Sequence, residues 1–306
     1  MKFFNLLSLI VFFGCSGVLA QGKSVLSPLK SNTYLKNELS TTQFKKSAKK
    51  ATDTLQIPFF DDFAGSNSPF PNPKKWVEKQ AFVNNNFPLN TISYNVATLE
   101  GLNEFGEPYN LSDPDAYGPA DTLSSQYIDL SSFGKLDSIY LSFFYQRGGL
   151  ADGPNTEDSL VVEFAINDST WVSMLNLSGG PKTSTFQQQF IAVDDSLFFS
   201  ETFQFRFRNY ATLSGNFDLW HIDYIQLDKN RSPSKNDLKD LAIVGEPTKF
   251  LDSEYSVIPI TEYAQNLVDT TFISIKNNFK TEIVNFTYLR QLIYAGDTVS
   301  SPQAAE

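Results

Sequence analysis

His221 is the only histidine in the 306 residues, so any Ser-His-Asp relay would have to run through it. No Gly-x-Ser-x-Gly elbow supplies a serine for such a relay. His221 also stands in a strand of rings, where an imidazole more often serves structure than chemistry. One histidine and one cysteine, Cys15, fall short of the usual zinc ligand set. No Walker loop and no Gly-x-Gly-x-x-Gly run is present to cradle phosphate. Carboxylates are the remaining reactive groups, and two from distant strands suffice for glycoside hydrolysis. No Glu-x-Asp-x-x-Glu run accompanies them, and no catalytic residue is assigned. The sharpest acidic candidates are Asp61, Asp62, Asp218 and Asp223. The plain alternative is that Asp61 or Asp223 caps a turn or pairs with Arg206 or Arg208. Asp152, Glu157 and Asp158 read as a solvated loop. Rings that would stack on sugars are Trp76, Tyr94, Tyr109, Tyr117 and Trp171. Trp76 and Trp171 read as core, which leaves Tyr109 and Tyr117, among loop residues, as the candidate ligand-binding pair.

These groups need strands to position them. Phe203, Phe205 and Phe207 alternate with Gln204, Arg206 and Arg208, a two-residue period that puts three rings on one face. After a loop over 209–216, Trp220, Ile222 and Tyr224 line one side of the next strand, with His221, Asp223 and Ile225 on the other. Further strands are expected at 92–99, 123–130, 138–146, 159–166, 171–175 and 186–193. Their spacing, with turn signals between and no amphipathic helix, predicts an all-β sandwich, and a Greek-key jelly roll accommodates this many strands. The stretch 83–117 is broken by Asn, Gly and Pro and reads mostly as loop. Loops on a rigid sheet are where binding usually lives, so it is the first ligand-face candidate. Residues 229–239 read as an interdomain linker. Residues 240–306 carry four or five strand-like runs, fewer than the roughly seven of a complete immunoglobulin-like sandwich, so the chain reads as a fragment of a longer protein.

Met1–Ala20 has the charge, apolar stretch and small-residue ending of a secretory leader cut after Ala20. A lipidated Cys15 is the other reading of this segment. With the leader removed, no cysteine remains for a disulfide. No internal apolar run approaches the length of a membrane-spanning helix. The formal net charge is −10. Residues 21–50 carry +6 and Lys2 +1, which leaves −17 for residues 51–306. So acidic a body argues against nucleic-acid binding. The basic Ser- and Thr-rich arm over 21–54 reads as a flexible linker.

Four blocks, FFDDF (59–63), ADTLSSQYIDLSSF (120–133), LSFFYQRGGLADGPNTEDSLVVEF (141–164) and FQFRFRNYATLSGNFDLWHIDYIQLD (203–228), resemble the MAM-like jelly-roll module of large surface proteins exported by type IX secretion in Gram-negative bacteria. The resemblance covers residues 55–228, includes a closing Asp-x-Trp-x-Ile-Asp at 218–223, and lacks the cysteines of animal MAM domains. The segment from residue 240 is similar to the immunoglobulin-like repeats of such proteins. The implied fold is a jelly-roll β-sandwich followed by a partial immunoglobulin-like β-sandwich, at the cell surface or secreted. Such modules bring the first and last strands close, which implies that Asp61, Asp62, Asp218 and Asp223 hold a structural calcium. The recurring Asp-Ser/Thr-apolar triplets beginning at Asp53, Asp121, Asp137, Asp158, Asp195 and Asp297 are similar to an O-glycosylation signal of these bacteria, or simply hand a turn over to a strand. The leading functional expectation is non-catalytic adhesion or structural display, with other surface proteins or surface glycans as partners. A lectin-like module and an accessory region of a larger secreted hydrolase are the alternatives.

Overall fold

Two antiparallel sheets face each other across a core of rings in a computed structural model of the chain. The structure describes residues 30–41, 54–66, 68–235, 238–253 and short stretches between 258 and 300. The leader, and with it Cys15, and parts of the strand-like runs expected beyond residue 240, at 254–257 and 286–290, lie outside the described residues. In chain order the elements of the sandwich are α1 (Thr33–Thr41), β1 (Phe59–Asp61), β2 (Phe82–Asn84), β3 (Val96–Leu99), β4 (Tyr117–Ser124), β5 (Tyr140–Arg147), β6 (Ser159–Asn167), β7 (Thr170–Ser178), β8 (Gln187–Ala192), β9 (Phe205–Thr212) and β10 (Trp220–Asp228).

One sheet runs β2-β3-β10-β5-β8, with β1 also paired to β10, and the other runs β4-β9-β6-β7. The chain passes from one sheet to the other between β3 and β4, β4 and β5, β5 and β6, β7 and β8, β8 and β9, and β9 and β10. The orders β3-β10-β5-β8 and β4-β9-β6-β7 are the interlocked Greek keys of an eight-stranded jelly roll. The alternation that predicted it is borne out, since Phe203, Phe205 and Phe207 are all fully buried. Phe205 meets Phe59 edge-on at 5.4 Å, and Phe207 meets Phe143 at 4.9 Å, across the two layers. On the other face of β9, Arg206 and Arg208 both bind Glu163, at 2.6 and 2.9 Å.

Three expectations need correction. The periodicity of β10 breaks at Tyr224, which has φ +52° and lies in a register shift between Asp223 and Gln226. The extra residue of a bulge reverses the facing of everything after it. Ile225 and Leu227 therefore enter the core, while Tyr224 turns outward to pack with Ile92 and Leu238. The arm expected to be flexible contains α1. Asn32 caps it, its Oδ1 accepting from the backbone N–H of Tyr34 and Leu35, as N-cap residues do. Leu35 is buried and Lys36 pairs with Glu107 at 2.7 Å. The expected linker over 229–239 is also docked: Arg231 Nη1 donates to Gln226 O at 3.1 Å, and its guanidinium lies over the Phe190 ring.

Beyond it, β11 (Leu241–Val244) pairs with β12 (Ser274–Asn277), and β13 (Leu292–Tyr294) with β14 (Asp297–Ser300). Among the described residues no helix is long and apolar enough to cross a membrane.

Candidate functional site

The outer face of the six-stranded sheet is roofed by the Asn-rich segment 85–95, which includes the first half of the strand expected at 92–99, since β3 begins only at Val96. The roof is pinned from below by polar side chains. Gln146, fully buried on β5, donates to Leu89 O at 2.9 Å and accepts from Leu89 N at 2.8 Å. His221, fully buried on β10, places Nε2 3.2 Å from Gly148 O and Nδ1 2.9 Å from Thr98 Oγ1. A carbonyl can only accept, so Nε2 carries the proton and Nδ1 accepts from the threonine hydroxyl. Thr98 Oγ1 in turn accepts from Asn84 Nδ2 at 2.7 Å. Burial pushes the His221 imidazole down to about 4. With both nitrogens committed, it has no lone pair or proton to offer a substrate.

At the bulge, the roof meets the acidic residues singled out above. Fully buried Asp223 accepts from Tyr224 N at 2.6 Å and from Ser93 N at 3.3 Å, and Ser93 Oγ lies 3.1 Å from its Oδ1. Ser93 Oγ is also 2.9 Å from Asp62 O. Burial raises the Asp62 carboxyl, and the Asp61 charge adds to the effect. Asp61 turns the other way, accepting from Trp76 Nε1 at 2.6 Å and pairing with Lys75 Nζ at 3.0 Å. The turn-or-pair alternative thus describes Asp61, with Lys75 as partner in place of an arginine.

Asp218 does not join this group. It lies five residues before Asp223, roughly 15 Å along an extended chain, so one ion cannot bind all four carboxylates. Asp218 is fully buried, accepts from Thr212 N at 2.8 Å and Asn155 Nδ2 at 3.3 Å, and donates its own N–H to Asp152. Asp158, beside it, is pushed up to about 7 by burial and then by the Asp218 charge. Asp152 and Asp158 therefore help build this buried turn, where the sequence suggests a solvated loop. Among the described residues no group of three or more His, Cys, Asp or Glu is arranged to hold a metal ion.

The two candidate tyrosines are apart as well. The Tyr109 hydroxyl donates to buried Asp121 at 2.7 Å. Tyr117 is half exposed on β4, and its hydroxyl donates to Glu157 O at 2.8 Å. Trp76 is buried, and Trp171 lies under the Arg206 guanidinium at 4.0 Å. Of the Asp-Ser/Thr triplets, Asp195 caps a short turn through Leu197 N, and Asp121 and Asp158 are buried, so at these positions the aspartate serves the fold.

What the stretch 83–117 does contribute is a cleft of about 510 Å³ lined by Tyr34, Asn85, Asn86, Phe87, Tyr94 and Asn95. The Tyr94 hydroxyl donates to Glu246 at 2.6 Å, which raises its own titration to about 12. A neighbouring cleft of about 480 Å³ runs between Ser93, Tyr94 and β11. The roof is also held from the C-terminal side, where Lys276 Nζ donates to Thr91 O at 3.1 Å and Asn278 Nδ2 to Ile92 O at 2.9 Å. Sequence reading singled out Tyr94 but missed Ser93, Thr98, Gln146 and the Asn residues. Only the run Asn84-Asn85-Asn86 signalled them, and it reads first as a turn.

No known protein family matches the chain, and no curated protein is similar to it. Similar solved structures include the K1 and K3 cleaved adhesin domains of Lys-gingipain from Porphyromonas gingivalis. The K1 domain matches with TM-score 0.36 and 12% identity, over 56% of this chain and 98% of that domain. The K3 domain matches with TM-score 0.31 and 13% identity, over 45% of this chain and 76% of that domain. A carbohydrate-binding module of Caldicellulosiruptor saccharolyticus, solved with mannohexaose, matches with TM-score 0.30 and 10% identity, over 55% of this chain and 89% of the module.

Proposed function

We propose that this chain is a non-catalytic adhesion module of an exported bacterial surface protein, making contact through the face roofed by residues 85–95. The observation that carries this reading is the division of labour on that face. Its one imidazole is locked between Thr98 and Gly148 and the Asp223 carboxyl holds Ser93 of the roof, while the cleft is lined mainly by amides, serines and rings, with its Glu246 carboxylate accepting from the Tyr94 hydroxyl. Such groups hydrogen-bond and stack without transferring protons, which suits binding. The blocks that resemble MAM-like modules of type IX-secreted proteins support the surface address, as does the leader-like start of the chain.

A neutral surface glycan as the contact partner is favoured by one specific feature. Asn85, Asn86 and Asn95 stand beside Tyr34, Phe87 and Tyr94, and sugars present hydroxyls to amides and C–H faces to rings. The test is a glycan array probed with the purified chain, wild type and Asn86→Ala. Asn86 is exposed, so its truncation leaves the core intact. Saturable binding that weakens at least fivefold in the variant is the expected result. No retention on any sugar at millimolar concentration would remove the glycan reading. Unimpaired attachment by cells whose surface chain lacks residues 55–228 would remove adhesion itself.

A further inference from the structure

A second acidic site lies at the other end of the sandwich, where β3 ends and the β4 ladder is interrupted between Pro119 and Thr122. Glu100 is 1% exposed and Asp121 is 0% exposed. Asp121 uses one oxygen for Tyr109 and the other for Glu100 N, at 2.7 and 2.8 Å. The Glu100 carboxylate is different, since its Oε2 is buried and has no hydrogen-bond partner. Neither acid has a lysine or arginine bound to it among the described residues, and Glu104 adds further negative charge toward Asp121. Burial alone holds the Glu100 carboxyl up at about 8.

Other unanswered oxygens belong to residues next to this segment. Asn209 is fully buried on β9, donates its amide to Glu100 O at 3.5 Å, and leaves Oδ1 without a partner. Asn216 is buried and its Oδ1 is also unanswered. It follows Gly215, whose carbonyl comes so close to Gly101 that a Cβ there would stand 2.4 Å from it. Asn209 occupies a position in phase with Phe203, Phe205 and Phe207, where an apolar residue would be expected. Buried polar atoms without partners are costly, and a buried carboxylate without a countercharge is more so. Three buried oxygens go unanswered here: Glu100 Oε2, Asn209 Oδ1 and Asn216 Oδ1.

We infer that Glu100, Asp121 and Asn209, with the adjacent Asn216, form a binding site for one hard divalent cation of the calcium class. The donor set is all oxygen and mixes carboxylate with amide, which is the preference of calcium. Only two of the donors are carboxylates, so one dication neutralises the site without excess. The ion would tie the end of β3 to β4 and β9, which belong to opposite sheets, and so clamp the open end of the sandwich.

The experiment is thermal melting of the purified full chain after chelation and on titration with calcium chloride, for wild type, Glu100→Gln and Asn209→Asp. The expected wild-type result is a melting temperature about 5–10 °C higher at a hundredfold excess of calcium over its Kd. Glu100→Gln is expected to lose most of that gain. Asn209→Asp keeps a ligand oxygen and adds charge, so it melts lower than wild type without calcium and shows a larger calcium-dependent gain. It also serves as the second arm should Glu100→Gln fail to fold. If instead Glu100 is an acid held neutral among buried waters, glutamine mimics it. Glu100→Gln would then melt like wild type and calcium would move neither, which overturns the proposal. A calcium gain undiminished in Glu100→Gln and absent in Asn209→Asp would also overturn it.

Discussion

At the bulge of β10, Asp223 is fully buried yet receives Ser93 N and Tyr224 N and lies within reach of the Ser93 hydroxyl. Near the start of the same strand, Glu100 is just as deeply buried and Oε2 receives nothing. Asp223 on β10 and Glu100 at the end of β3 belong to neighbouring strands of one sheet. They differ in what their neighbours supply. The roof at the bulge turns N–H and O–H groups toward its acid, whereas at the far end Glu100 Oε2 and the amide oxygens of Asn209 and Asn216 all go unanswered. A carboxylate answered by donors is a structural pin, and a buried carboxylate that no donor answers needs a cation to be stable. Burial and charge are alike in the two places, so only the polarity of the neighbours separates a closed site from an open one.

The comparison is tested most severely at the bulge end by Trp76→Ala. The ring packs against Phe59, Phe63 and Phe205, and its N–H binds Asp61. Its loss should cost about 3–5 kcal/mol in urea unfolding. A cost below about 1 kcal/mol would show that Trp76 and its bond to Asp61 do not hold this end of the sandwich together.

Acid should weaken the sheet beneath the roof through His221. Unfolded, the imidazole takes a proton near 6.5, but folded it does so only near 4. Below pH 6.5 the unfolded chain therefore binds the extra proton, and stability falls by up to about 3 kcal/mol as the pH drops toward 4. His221→Gln should flatten that part of the stability–pH curve. Identical curves would show that the imidazole is not held neutral.

Ser93→Ala removes the hydroxyl shared by Asp62 O and Asp223 and should cost about 1–3 kcal/mol, as expected when a buried acceptor is left unsatisfied. It should leave any calcium-dependent gain in melting temperature unchanged, because that gain belongs to the other end. The smallest effect is expected from Lys276→Ala. It frees Thr91 O and should cost about 1 kcal/mol or less, seen chiefly as faster amide exchange over residues 91–94. Exchange unchanged there would mean that the C-terminal segment does not brace the roof.

Much of the architecture was legible because rings at every second position leave few alternatives to a buried strand. The alternation at Phe203, Phe205 and Phe207 carried the sandwich. The same rule failed at Tyr224, because a bulge inserts one residue without changing composition. It failed again at 33–41, where a nine-residue helix depends on Asn32 as cap and on one buried leucine, too little periodicity to see in a polar arm. Candidate site residues were less legible. Asp62 and Asp223 both reach Ser93 at one end, while Asp61 turns to Trp76 and Lys75; the resemblance that groups Asp218 with them through the closing Asp-x-Trp-x-Ile-Asp does not show that an extended chain carries it away. Asn209 was read as loop, yet it continues the phase of the rings. A polar residue on an apolar phase was the one available signal of the open site.

The most direct test of that contrast is the anomalous signal from crystals of the chain grown in calcium. The account predicts one ion peak beside Glu100 Oε2, with protein oxygens at about 2.3–2.6 Å and none between Asp62 and Asp223. An ion at Asp62 and Asp223, or a water hydrogen-bonded to Glu100 in its place, would contradict it.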